Sequence, residues 1–220
     1  GRTGQTLSMG SLALSSGAFV NVSLGAPSTT GLFNVTGDLA LNGTLNVGSA
    51  GGFGDGLYRL FDYGGALSGS GLAIGATPAG YALGDLTVQT SVAHQVNLVA
   101  SSGPYIFWDG ANTIANGRVD GGSGTWSAAG TNWANTNATA NGAYSPATML
   151  IFVGTPGTVT VDAAGAGALD IGTGLQFADD GFIVQGDGLA LTGASTVIRV
   201  GNGIASGSNV TATIESALTG

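Results

Sequence analysis

Cysteine and lysine are both missing from this sequence, histidine occurs once (His94), and charge is scarce, with four basic residues against twelve acidic ones. Each shortage closes a class of function. Without thiols there is no disulfide framework, no cysteine nucleophile and no thiolate metal site. A lone histidine gives a serine nucleophile one candidate base, yet no Gly-x-Ser-x-Gly elbow or Gly-Asp-Ser-Gly text accompanies it. The basic residues are four scattered arginines, Arg2, Arg59, Arg118 and Arg199, set against a net charge of −8. They cannot neutralise a phosphate track, so nucleic acid is not a partner, and they cannot hold the chain to anionic lipid. No apolar run approaches the ~20 residues of a membrane-spanning helix. Five prolines and no Gly-X-Y period exclude collagen. The chain begins at Gly1 with neither Met nor a signal peptide, which suggests a piece of a longer exported protein.

What is abundant is glycine, 42 residues of 220, beside a hydrophobic fraction of 43%. That much apolar side chain argues for collapse rather than disorder. Frequent glycine among β-branched and Thr-rich runs makes poor helix and good strand and turn. The apolar residues come in doublets with one residue between: Leu12/Leu14, Val20/Val22, Phe33/Val35, Leu39/Leu41 and Leu45/Val47. Further on stand Val159/Val161, Leu169/Ile171, Leu175/Phe177, Leu189/Leu191 and Ile198/Val200. Alternation with a period of two sends both members to one face. Turn residues punctuate the doublets, as at Asn42-Gly43, Gly165-Ala166-Gly167 and Asn202-Gly203. Strands this short are unstable as isolated hairpins but stable if each turn of chain stacks on the next. The pattern therefore predicts an all-β solenoid, with about 20–25 residues per coil and roughly nine to eleven coils.

The doublets lapse between residues 103 and 147, where Asn, Thr, Ser and Gly crowd together and all three tryptophans occur. The expected organisation is coils closing one repeat over 1–102, a junction over 103–147, and coils opening the next repeat over 148–220. A protruding loop is expected mostly between Ala128 and Pro146.

Three stretches carry a family resemblance. Phe53–Val99, Trp108–Trp133 and the text GLQFADDGFIVQGDGLALTGASTVIRVGNG at Gly174–Gly203 resemble the β-strand repeats of bacterial autotransporter (type V secretion) passengers. None is a catalytic signature; their order and texture carry the likeness. The resemblance implies a right-handed, single-stranded parallel β-helix at the surface of a Gram-negative cell, anchored by a C-terminal membrane barrel that is not in this sequence. It also implies adhesion or self-association as the role, with a host-cell or neighbouring-cell protein or glycan as partner. A passive stalk is the alternative, and a carbohydrate-active enzyme of the same helix type is the third reading.

Sugar cleavage needs an acid and a base on one face. The acids here are dispersed, mostly beside glycine as turn formers are, and Asp179-Asp180 is the only adjacent pair. His94 falls in an apolar, strand-like run, SVAHQVNLV. Gly51-Gly52-Phe53-Gly54-Asp55 departs from the calcium repeat of other solenoids and does not recur in tandem. No Gly-x-Gly-x-x-Gly or P-loop text is present. No catalytic residue, metal or cofactor is expected. The partner-contact candidates are the aromatic residues Trp108, Trp126, Trp133 and Tyr144, with Asn135 and Asn137 in the polar text between them. For the tryptophans, closing a coil at the junction is the favoured role over contact.

Overall fold

The computed structural model describes residues 6–203 and 209–220. Among these the only helical turn is a 3-10 turn at Leu83–Asp85. The described residues form two compact units, one of 6–90, 94–102 and 202–203, the other of 91–93, 103–201 and 209–220.

In the first unit each coil has three sides. β1 (Leu7–Met9), β2 (Leu12–Ala13) and β3 (Phe19–Leu24) make one coil. β4 (Phe33–Val35), β5 (Leu39–Ala40) and β6 (Thr44–Ser49) make the next, and β7 (Gly56–Tyr63), β8 (Leu67–Ser68) and β9 (Ala73–Ile74) a third. Every strand lies parallel to its counterpart one coil on: Leu7 beside Phe33, Leu12 beside Leu39, Phe19 beside Thr44. The same holds from the second coil to the third. The direction then reverses. β10 (Leu86–Gln89) and β11 (Gln95–Ala100) form an antiparallel hairpin, and β11 runs antiparallel along β7. A parallel stack cannot continue through an antiparallel strand in the same register, so the hairpin closes this sheet. Side chains fasten the closure: Arg59 Nε donates to Asn97 Oδ1 at 2.8 Å, and Asn97 Nδ2 to Gln89 Oε1 at 3.1 Å.

The second unit opens on β12 (Tyr105–Trp108) and β13 (Gly124–Ser127), with a hairpin of β14 (Trp133–Ala134) and β15 (Asn141–Gly142) laid antiparallel on β12. Three regular coils follow. They are β16 (Met149–Phe152), β17 (Thr158–Asp162) and β18 (Ala168–Asp170); β19 (Gly174–Phe177), β20 (Phe182–Gly186) and β21 (Gly188–Ala190); and β22 (Val197–Val200), β23 (Ala212–Ile214) and β24 (Leu218–Thr219). All pair in parallel, coil on coil.

The doublets account for this arrangement. Val35, Leu39, Leu41, Leu45 and Val47 of one coil are buried in the first core, and Val159, Val161, Leu169, Ile171, Leu175 and Phe177 in the second. Each such side chain contributes about 1.5–3 kcal/mol through burial, enough to hold strands of two or three residues that have little stability alone. Aromatic residues in register stack at nearly the strand spacing, Phe33 on Phe61 at 4.7 Å and Phe152 on Phe177 at 4.8 Å.

The solenoid is as expected; its coils, about eight, are fewer, and while several keep the expected length others run longer. Stacked partners lie 25 residues apart at Asn21 and Asn46, 30 at Asn46 and Ala76, and 31 at Asp180 and Thr211. Three strands need three corners, and the corner loops consume the extra residues. The scarce acids serve these corners. Asp38 accepts from Ala66 N at 2.8 Å, Asp179 from Gly154 N at 2.7 Å, Asp180 from Thr211 N at 2.6 Å and Asp187 from Ala163 N at 2.9 Å. Each carboxylate thus pairs a backbone N–H of an adjoining coil that the corner would leave unpartnered.

Gly43 shows how tight the corners are. Its φ is +101°, and a Cβ there would stand 2.3 Å from Ala18 O, the carbonyl that accepts from Thr44 N. Gly43→Ala is therefore expected to cost about 2–3 kcal/mol from the left-handed backbone and the displaced ladder bond. A urea titration followed by far-UV circular dichroism checks this; an unshifted first-unit midpoint would count against it.

Candidate functional site

Residues 103–147, expected as a junction with a protruding loop, hold β12 to β15 and the three irregular stretches between them. The tryptophans organise the interior. Trp108, on β12, Trp126, on β13, and Trp133, on β14, are fully enclosed. Trp133 meets Trp108 edge to face at 5.2 Å and Trp126 at 5.3 Å, and Phe152 of the next coil lies 5.5 Å from Trp133. Trp108 Nε1 donates to Gly122 O at 2.8 Å, whereas the indole N–H groups of Trp126 and Trp133 find no acceptor among the described residues. Tyr144 is half-buried and packs edge to face on Trp126 at 5.5 Å; burial pushes its hydroxyl up from the usual tyrosine range. The structure thus brings the four aromatic candidates together, but inside the coil. The three indoles offer no surface to a partner, because the irregular first coil has no stacked doublet on its outer side and large rings fill the space.

A second set of residues shapes the outer loop of the same coil. Asp109 follows Trp108 directly and has no exposed surface. Its Oδ1 accepts from Asp120 N at 2.8 Å and its Oδ2 from Asn141 Nδ2 at 2.9 Å. Burial pushes this carboxyl above the ordinary aspartate range; the hydrogen bonds pull it back, and the nearby Asp120 charge pushes it further up. Asp120 gathers the rest of the loop. Its Oδ2 accepts from Asn112 Nδ2 at 3.0 Å and Asn116 Nδ2 at 2.7 Å, and its Oδ1 faces Arg118 Nε at 3.4 Å. Asn141 Nδ2 also reaches Asn112 O at 3.0 Å, and Gly117 N donates to Ala138 O at 3.0 Å. The sequence reading placed Asp109 among the turn formers. The structure makes it the buried anchor of an amide and carboxylate network.

The expected contact residues Asn135 and Asn137 are both exposed, on the turn between β14 and β15. Asn135 is committed to that turn: its Oδ1 accepts from Thr139 N at 2.9 Å and its Nδ2 donates to Thr139 Oγ1 at 3.0 Å. The turn lies against its own unit, with Ala138 buried and Thr136 O accepting from Ser91 Oγ at 2.6 Å. Sequence reasoning missed Ile114. It is 80% exposed at the crown of the loop between Asp109 and Asp120. The available signal was an isolated aliphatic residue in Asn/Thr/Gly text with no doublet partner.

Two carboxylates and an arginine do meet here, but Asp109 is sealed from solvent, so the cluster presents no open acid and base pair. His94 is not in a strand. It sits at φ +60° just before β11, with Nδ1 3.0 Å from Tyr63 O and its ring tilted over Tyr63. Among the described residues no group of three or more His, Cys, Asp or Glu could hold a metal ion.

These two layers lie in a chain with a clear relative. A stretch of the adhesin BmaC autotransporter of Brucella suis biovar 1 (strain 1330) is 43% identical over 221 residues, which takes in 96% of this chain. The chain is similar to this stretch of an autotransporter adhesin. Its stacked parallel coils form a β-solenoid, as the resemblance to a surface-exposed passenger of a Gram-negative cell implies. The chain spans 6% of the relative's length. No family model matches it, and no solved structure matches it.

Proposed function

We propose that this passenger segment takes part in adhesion, binding a target on a host or neighbouring cell through the exposed rim of the 103–147 coil. The likeness to an adhesin along 96% of the chain is the observation that carries the reading. The coil's construction supports it: a rigid aromatic interior lies under exposed polar groups, so the rim loses little freedom on binding. Many such segments along one long passenger would add weak contacts into avidity. The role is binding rather than catalysis, since the buried carboxyl and the corner carboxylates are all engaged in holding backbone.

Asn137 is the rim residue to alter, because it is exposed and, unlike Asn135, makes no turn bond among the described residues. Beads coated with the chain are expected to be retained on cultured epithelial cells, and Asn137→Arg to reduce retention roughly fivefold to tenfold with an unchanged melting temperature. Equal retention of both would move the contact away from this turn. Retention no better than bare beads would favour the passive stalk.

A further inference from the structure

We propose that Ile114 is the anchor by which this segment engages a protein partner, entering an apolar pocket bordered by a carboxylate that receives Arg118. This rests on the adhesive reading and names its contact. Among the described large hydrophobic residues Ile114 is the most exposed, at 80%. Most of the others, Leu7, Phe19, Val197 and Leu218, lie on strands of the terminal coils, where an unpaired edge explains their exposure. Ile114 belongs to no strand, so stacking does not account for it.

The loop beneath it is unusually well fastened. Asn112 N donates to Asp109 O at 3.0 Å, Asn112 and Asn116 both reach Asp120, and Arg118 N donates to Asn116 Oδ1 at 2.9 Å. Ile114 is thus held in solvent by the bonds on either side of it. A mobile loop could fold an isoleucine back; this one cannot without breaking the half-buried Asn112–Asp120 bond and the bonds of Asn116. An apolar residue fixed in water on a preorganised loop is what a partner's pocket gains most from covering.

The chemistry selects a protein over a glycan. Sugars are recognised by flat aromatic faces and by converging donors and acceptors. An isoleucine tip offers neither. Charge gives the second criterion. In a chain of net charge −8, Arg118 is 58% exposed and its contact with Asp120 is a long 3.4 Å through Nε, so the guanidinium retains donors for an acidic group on the partner.

The test uses the whole 220-residue chain on beads, with epithelial cells as the target. Ile114→Asp should cut retention tenfold or more, while Ile114→Val stays within about threefold of the parent. Arg118→Gln should show a smaller loss. All three should keep the parent's melting temperature and near-ultraviolet circular dichroism, because the altered groups lie outside the core. Trypsin treatment of the cells should abolish parent binding, and enzymatic removal of surface glycans should leave it. Parent binding that Ile114→Asp leaves intact overturns this inference and spares the adhesive reading. Binding that survives trypsin but not glycan removal overturns the protein partner. A parent chain that does not bind overturns both.

Discussion

Replacing Trp133 by alanine is expected to lower the stability of the second unit by about 3–5 kcal/mol, the cost of emptying a large aromatic site in a close-packed core. The ring has 1% of its surface exposed and touches Trp108, Trp126 and Phe152 at once. Those neighbours sit on four different strands counting its own, so the cavity cannot close by moving one of them. Trp133→Phe should cost much less, about 1–2 kcal/mol, because the ring stays and the unpartnered indole N–H is removed. Urea unfolding followed by near-ultraviolet circular dichroism measures both. If alanine and phenylalanine shift the midpoint equally, packing is not what Trp133 supplies. Since the tryptophans lie in the second unit alone, their signal reports that unit, and the first should keep its own transition.

Asp109→Ala is expected to destabilise the same unit by about 3 kcal/mol, since it leaves the Asp120 N–H without its acceptor and the Asn141 amide with only Asn112 O. Its pH dependence has a definite sign. The folded pKa of Asp109 is raised above the unfolded value of about 3.9, so its contribution is fully present below that pH. The contribution is then lost as pH rises through the folded pKa. The gap between parent and Asp109→Ala should therefore be widest in acid and narrow towards neutrality. A gap that widens with pH would mean that the hydrogen bonds outweigh the burial and hold the carboxyl ionised. Amide hydrogen exchange over residues 110–120 should accelerate in the variant, because Asp109 secures both ends of that loop.

These two residues mark the limit of what local pattern can reveal. The doublets made the solenoid legible: a period of two, repeated between turn residues, has one economical packing, and Leu39, Leu41, Leu45 and Val47 point inward as that pattern requires. The coil length was less legible, because corner loops carry no periodicity and their residues went uncounted. The antiparallel strands β11 and β14 were not legible at all. A Val/Leu run such as that in β11 reads alike in either direction, and only its partner β7 settles the pairing. The tryptophans stood out by composition, yet whether an indole faces water or core depends on what the next coil places beneath it.

Composition and alternation alone determined that the chain is all-β, that it stacks in coils, and that thiol chemistry does not concern it. These follow from side-chain types and near-neighbour spacing, which act over a few residues. Only the tertiary structure decided where the coils stop, which aspartate is buried, and which side chain is left in solvent. Asp109 meets Asn141 across 32 residues, and Trp133 meets Phe152 across a change of coil. Such pairings depend on the path of the whole coil, so Asp109 is buried and Ile114 left in solvent only when the loop between Asp109 and Asp120 is closed.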